Sequence, residues 1–202
     1  MTARALEFWY EFASTYSHVA AQRIEAVAGA AGVPVTWKPF LLGPIFSKQG
    51  WNDSPFNIYP AKGVYMWKDL ERQCAKHRVP FRKPSVFPRP SLLATRIAMA
   101  LDTSPQRVAE FSRRVYLANF HDDIDTTSDD VVRGLLQSIG WPDAEDVLAR
   151  AASAETKGRL RQRSDEAFAR GIFGAPTFLI GSELYWGNDR LEDALTSCVA
   201  SS

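Results

Sequence analysis

Cysteine is nearly absent from this chain of 202 residues, which holds only Cys74 and Cys198. They form no CxxC pair and no metal-ligand spacing, and two thiols cannot build a disulfide framework. Histidine is as scarce: His18, His77 and His121 are the three present. His77 and His121 have no ligand-spaced partner, so no metal is expected. An excess of one charge is missing too. The 24 basic and 23 acidic residues leave a net charge of +1, with no footprint for nucleic acid or a membrane surface. Long apolar runs are also missing. The longest uncharged stretches, Ala26–Trp37 and Gly171–Ser182, have twelve residues each, too few to cross a bilayer. Near the start, Glu7 and Glu11 interrupt any signal-peptide core. The sequence contains no GxGxxG, GxxxxGK[ST], GxSxG or HExxH, which removes the usual support for dinucleotide, P-loop, α/β-hydrolase and zinc-protease readings. The sequon at Asn52–Ser54 carries little weight without a secretion signal. With 46 % hydrophobic and 23 % charged residues, the composition is that of a soluble globular protein, and the expected location is cytoplasmic.

Alternation is what the sequence does supply. Ala5–Phe12 sets Phe8 and Tyr10 against Glu7 and Glu11, a strand pattern. A helix is predicted from Ser14 to about Ala31, closed by Gly32, and Val33–Pro39 reads as a second strand. This β-α-β opening requires a parallel pair and a right-handed crossover. Phe40–Pro60, with Gly43, Pro44, Gly50 and Pro55, reads as a long loop. Helical periodicity then covers Ala61–His77, Leu92–Leu101, Val108–Asn119, Val131–Ile139, Ala144–Ala152 and Glu155–Ala169, with Asp102, Ser104, Thr127 and Asp143 as candidate caps. Cys74 shares an apolar stripe with Met66 and Leu70, which reads as an inert buried thiol. The basic run Lys76–Arg89 reads as a solvated surface and His121–Asp130 as a capped loop. The end gives a strand at Thr177–Ile180, a Gly181–Ser182 turn, a strand at Glu183–Trp186 and a helix from about Asp189.

Two segments carry the chemistry. Phe12–Ser17 (FASTYS) lies at a strand-to-helix turn, where free N–H groups and the positive dipole end favour an anion. Ser14 and Ser17 have CxxC spacing with hydroxyls in place of thiols; Ser14 reads equally well as an ordinary N-cap. In Phe173–Phe178 (FGAPTF), Pro176 opens a strand and is a candidate cis-proline whose preceding backbone stays free for a ligand. Together, β-[S-x-x-S]-α-β and a late α-[A-P-T]-β-β-α are the two halves of a thioredoxin-like α/β fold. The helices between them form a large insertion. The division this implies is a thioredoxin-like domain at residues 1–60 and 154–202 and a helical domain at 61–153.

These segments, with Gly50–Arg72 and Tyr185–Glu192 (YWGNDRLE), resemble the 2-hydroxychromene-2-carboxylate isomerases, in the DsbA-like group that also contains the kappa-class glutathione transferases. The resemblance implies glutathione as cofactor, with its sulfur against Ser14. A hydroxyl at a helix N-terminus donates to a thiolate and lowers the thiol pKa. It also implies antiparallel pairing of the glutathione backbone at Ala175, beside Pro176, and recognition of the γ-glutamyl end by Trp186, Gly187, Asn188 and Asp189. Asn52, Phe56, Asn57, Lys62 and Phe87 fall where the family builds outer cofactor contacts and an aromatic acid pocket; Lys62 reads equally as a solvated lysine. The family's usual proline after the first serine is replaced here by Thr15. His18, one turn from Ser14, is read as a packing or solvent-facing residue before a base.

The implied reaction interconverts 2-hydroxychromene-2-carboxylate and trans-o-hydroxybenzylidenepyruvate, a step of aromatic hydrocarbon catabolism, by reversible addition of glutathione thiolate. Small aromatic carboxylates are the implied substrates, and a homodimer is the implied assembly. The alternatives are a kappa-like glutathione S-transferase and a non-catalytic glutathione-binding module. A dithiol oxidoreductase is disfavoured, because neither Ser14 nor Ser17 can form a disulfide.

Overall fold

The computed structural model describes residues 4–200. The opening unit is β1 (Leu6–Tyr10), α1 (Thr15–Ala30) and β2 (Val35–Pro39), with β1 and β2 parallel from Leu6↔Val35 to Tyr10↔Pro39. Then come α2 (Leu42–Lys48), α3 (Pro55–Ile58), α4 (Pro60–His77), α5 (Leu92–Ala100), α6 (Pro105–Phe120), α7 (Asp129–Ser138), α8 (Ala144–Ala152) and α9 (Ala154–Ala169). The chain returns through β3 (Thr177–Ile180), β4 (Glu183–Trp186), a 3-10 turn at Asn188–Arg190 and α10 (Leu191–Ala200). β3 is antiparallel to both β1 and β4, giving the sheet order β2-β1-β3-β4. This is a thioredoxin-like sheet with a block of helices between its two halves.

The sheet is covered on both faces. Phe8, Tyr10, Trp37 and Phe178 turn to one side, against Ile24 of α1, Phe111 of α6 and Leu191 of α10. Phe8 stacks on Phe178 at 5.5 Å and meets Trp37 edge-on at 4.9 Å. Trp9, Phe40 and Leu179 turn to the other side, against Ile45 of α2 and Ala167 of α9. Each ring withdrawn from water contributes roughly 1.5–3 kcal/mol, so this aromatic sandwich fixes where β1 ends and where α1 begins. On the outside of α1, Leu70 and Cys74 of α4 pack on Val19. Burial pushes the Cys74 thiol up to about 12, which makes it the inert thiol expected.

Four expectations are corrected. The stretch 40–60 is not a plain loop but carries α2 and α3: Pro44 and Pro55 sit in first turns, where a missing N–H costs nothing. Glu11 is not part of the alternating strand but lies in the turn after β1, where it is 6 % exposed with its carboxylate on the Ala13 N–H and the Ser91 hydroxyl. The basic run is not wholly solvated. Arg89 is also 6 % exposed, with Nε donating to Asn119 at 2.9 Å and Nη2 to Asp123 at 2.8 Å. Finally, Ser128 rather than Thr127 caps α7, and Asp102 pairs with Arg159 instead of capping a helix. Among the described residues, no helix is long and apolar enough to cross a membrane, and no group of three His, Cys, Asp or Glu is placed to hold a metal.

α3 and α4 meet at Gly63, where an added Cβ would overlap the Phe56 carbonyl oxygen. Gly63→Ala is therefore expected to destabilise the fold by about 2 kcal/mol, as overpacking does, despite alanine's higher helix propensity. Urea unfolding checks this; equal or greater stability would mean that α3 does not rest on α4 here.

Candidate functional site

β1 delivers the chain to the N-terminus of α1 through the turn Glu11–Ser14, closed by the Ser14 N–H donating to the Glu11 carbonyl at 3.0 Å. Ser14 is the N-cap, in extended backbone (φ −77°, ψ 120°), and its Oγ accepts the Ser17 N–H at 3.2 Å. The same hydroxyl donates to the Ala175 carbonyl at 2.8 Å, across 161 positions of sequence. The two segments singled out in the sequence therefore touch. The Ala175–Pro176 bond is cis, as anticipated from the sequence; so is Phe87–Pro88, which was not. Among the described residues, the Ala175 N–H has no hydrogen-bond acceptor, which leaves it open to an extended ligand lying antiparallel to the loop.

The proline loop is held from behind. Thr177 Oγ1 donates to the Gly174 carbonyl at 2.9 Å, and the Gly187 N–H donates to the Pro176 carbonyl at 3.0 Å. The second bond brings Gly187, Asn188 and Asp189 beside the loop. Gly187 lies at φ 110°, and a Cβ there would overlap the Asp189 carboxylate, so this close turn requires glycine. Asn188 is 2 % exposed; its Oδ1 accepts from Arg23 at 3.4 Å, while its Nδ2 has no acceptor among the described residues. Asp189 is exposed and pairs with Arg190 at 3.2 Å. Trp186 lies against the same loop. Its ring lies over Gly174 and against Phe173, 4.9 Å between centroids, and stays 52 % exposed.

On the other side of Ser14, Tyr16 projects from the first turn of α1. Its hydroxyl donates to Asp69 of α4 at 2.9 Å. Burial first, then Asp69, Tyr65 and Asp189, push this phenol well above its ordinary range; it is a fixed neutral donor on the same rim as Asp189. Phe56 lies 6.5 Å from the Tyr16 ring, so of the outer candidates it is the one brought to the first turn of α1. The others engage elsewhere. Asn57 donates to both carboxylate oxygens of Asp53, Lys62 Nζ lies 5.1 Å from the Tyr59 ring, Phe87 packs edge-on to Trp67 at 4.8 Å, and Asn52 is exposed. Thr15 is buried, and its hydroxyl donates to Met66 Sδ at 3.2 Å, so this departure from proline ties α1 to α4.

His18 is buried rather than solvent-facing. Its Nε2 meets the Pro80 carbonyl at 3.0 Å, its ring stacks on Phe120 at 5.3 Å, and burial lowers its pKa to about 4. The sequence reading assigned no role to Tyr16, Asp69 or Glu11. Tyr16 lay inside the quoted serine block, but nothing local ties it to Asp69, 53 positions on.

The model of the DSBA-like thioredoxin domain matches residues 5–197. The chain belongs to that family. Within it, the chain is 29 % identical over 192 residues to a 2-hydroxychromene-2-carboxylate isomerase of Sphingobium xenophagum, covering 94 % of this chain and 95 % of that one. It is 26 % identical over 217 residues to glutathione S-transferase kappa 2 of Caenorhabditis elegans, covering 93 % and 88 %. A solved structure of 2-hydroxychromene-2-carboxylate isomerase superposes with a TM-score of 0.85 at 22 % identity, covering 98 % of this chain and 95 % of that one. Ser14 and Ser17, at CxxC spacing, carry hydroxyls, which cannot form a disulfide.

Proposed function

We propose that this chain is a cytoplasmic, glutathione-dependent isomerase acting on small aromatic carboxylates, with 2-hydroxychromene-2-carboxylate and trans-o-hydroxybenzylidenepyruvate as the interconverted pair. The observation that carries the reading is the 2.8 Å contact between Ser14 Oγ and the Ala175 carbonyl. It gathers a helix N-terminus, a hydroxyl and an open backbone N–H at one point. The named isomerase and kappa transferase relatives support the same reading.

The residues present fit glutathione. Asn188 has an orphaned buried Nδ2, the Ala175 N–H is open, and the Gly187 turn admits no Cβ. Ala175 would pair with the tripeptide backbone, and Asn188 and Asp189 would take the γ-glutamyl end, the carboxylate of Asp189 meeting its ammonium. When bound, glutathione supplies the nucleophilic thiol that this protein lacks. Ser14 keeps its oxygen as the cap of α1 and turns its hydrogen from Ala175 to the sulfur, holding the thiolate form. Tyr16 with Phe56 and the exposed Trp186–Phe173 pair would supply the rings on which an aromatic acid rests.

The test is ultraviolet absorbance of 2-hydroxychromene-2-carboxylate with this protein, with and without glutathione, while free thiol is titrated. Glutathione-dependent spectral change at constant thiol is the expected result. Falling thiol would instead make the chain a kappa-like transferase, and binding without spectral change would make it a binding module.

A further inference from the structure

Glu11 is a buried carboxylate that the reaction described above does not use. Its Oε2 accepts the Ala13 N–H at 2.9 Å, and its Oε1 takes the hydroxyl of Ser91, the N-cap of α5. Its own carbonyl accepts the Ser14 N–H at 3.0 Å and the Tyr116 hydroxyl at 2.8 Å. One residue thus holds two backbone N–H groups of the turn that presents Ser14, those of Ala13 and Ser14, and it anchors that turn to α5 and α6. No cation among the described residues pairs with it. Arg89, two residues before Ser91, is engaged by Asn119, Asp123 and Asp125. The titratable group that faces it is the Tyr116 phenol, kept neutral by burial; the Tyr10 phenol, also kept neutral by burial, lies beyond Tyr116 at 6.3 Å between rings. His18 of α1, neutral above about pH 4, lies beyond Tyr116 at 6.0 Å between rings.

We propose that Glu11 is the positioning residue of the Ser14 turn and that its proton sets how firmly the turn is held. The proposal rests on reading Ser14 as the anion contact of the site. Ionised, the carboxylate accepts from Ala13 and Ser91 with charge-assisted strength, roughly twice that of a neutral bond. Protonated, it must spend one oxygen as a donor to Ser91 and holds Ala13 through a neutral carbonyl. Burial pushes this carboxyl up to about 7, against the weaker opposing pull of Ser91 and Ala13, so the exchange falls in the neutral range. Glutamine offers the same carbonyl to Ala13 and an N–H to Ser91 without a proton to lose, so Glu11→Gln separates geometry from charge.

The test is amide NMR of the free protein from pH 5 to 8.5, for wild type, Glu11→Gln and Glu11→Ala. The Ala13 and Ser14 signals should titrate together with a midpoint near 7 in wild type and not in Glu11→Gln. An unmoved Ala13 signal in wild type, or the same titration in Glu11→Gln, overturns the proposal. A second reading uses S-methylglutathione, which has no thiol to ionise. Its affinity should rise about threefold through pH 7 in wild type, stay level in Glu11→Gln and fall about tenfold at all pH values in Glu11→Ala. If wild type binds none of it, the glutathione reading fails, while the amide titration still decides whether Glu11 holds the turn.

Discussion

Replacing Ser14 by alanine should cut kcat/KM for glutathione-dependent isomerisation by about ten- to a hundredfold. That is what the loss of one hydrogen bond to a charged group, roughly 1.5–3 kcal/mol, implies. The hydroxyl has two duties at once: it caps α1 through the Ser17 N–H and closes onto Ala175. Removing it should also lower stability by about 1 kcal/mol, the usual value of an N-cap. Ser14→Thr separates the two effects. It restores a capping hydroxyl, so its stability should return to wild type, with partial recovery of rate according to how the extra methyl fits under Ala175. The measurement is initial rate against glutathione concentration, at a temperature where urea unfolding shows each variant folded. Full activity of Ser14→Ala would remove Ser14 from the reaction.

The second large effect is in stability against pH, where two buried groups oppose one another. Glu11 has its carboxyl raised from 4.5 to about 7. The folded state then holds a proton that the unfolded state has lost, so stability falls as pH rises from about 4.5 through 7. His18 has its imidazole lowered from 6.5 to about 4. There the unfolded state holds the extra proton, so stability rises over about pH 4 to 6.5. Each shift of about 2.5 units corresponds to roughly 3 kcal/mol, and the two slopes nearly cancel in wild type. Glu11→Gln should expose the histidine slope, gaining about 3 kcal/mol relative to wild type between pH 4.5 and 7.5. Urea midpoints at five pH values check this. A difference that does not change with pH would show that Glu11 is ionised in both states. A carboxylate that lowers stability at neutral pH is better explained by what it does for the Ser14 turn than by folding.

These effects mark where the sequence was legible and where it was not. α8, β3 and β4 were read at their observed limits because punctuation bounds them: Asp143 and Ser153 flank α8, and Gly181–Ser182 makes the β3–β4 turn. The Ser14 turn and the proline loop were each legible, since a strand-to-helix turn and an Ala-Pro-Thr strand start are local signals; their contact across 161 positions comes from the fold. Glu11 was not. Two-residue alternation places it opposite Tyr10, but it lies in the turn after β1, and only the fold brings Ser91, 80 positions on, to its carboxylate. Arg89 misled for the same reason, because its acceptors Asn119 and Asp123 lie 30 and 34 positions away. Gly43 and Pro44 look like breakers, yet both fit inside the first turn of α2. Asn57 and Lys62, candidates for the outer part of the site, engage Asp53 and the Tyr59 ring. Side chains on α3 and the start of α4 are the part of the site that spacing alone could not aim.

The central claim is that the Ser14 turn and the Ala175–Pro176 loop form one glutathione site. Titrating glutathione into isotope-labelled protein and following backbone amides tests it most directly. The account predicts that Ser14, Ala175, Gly187, Asn188 and Asp189 shift together with one dissociation constant, and that Ser14→Ala weakens all five. Shifts confined to a distant surface, such as the β2 edge beside Arg163, or no shifts at millimolar glutathione, would contradict it.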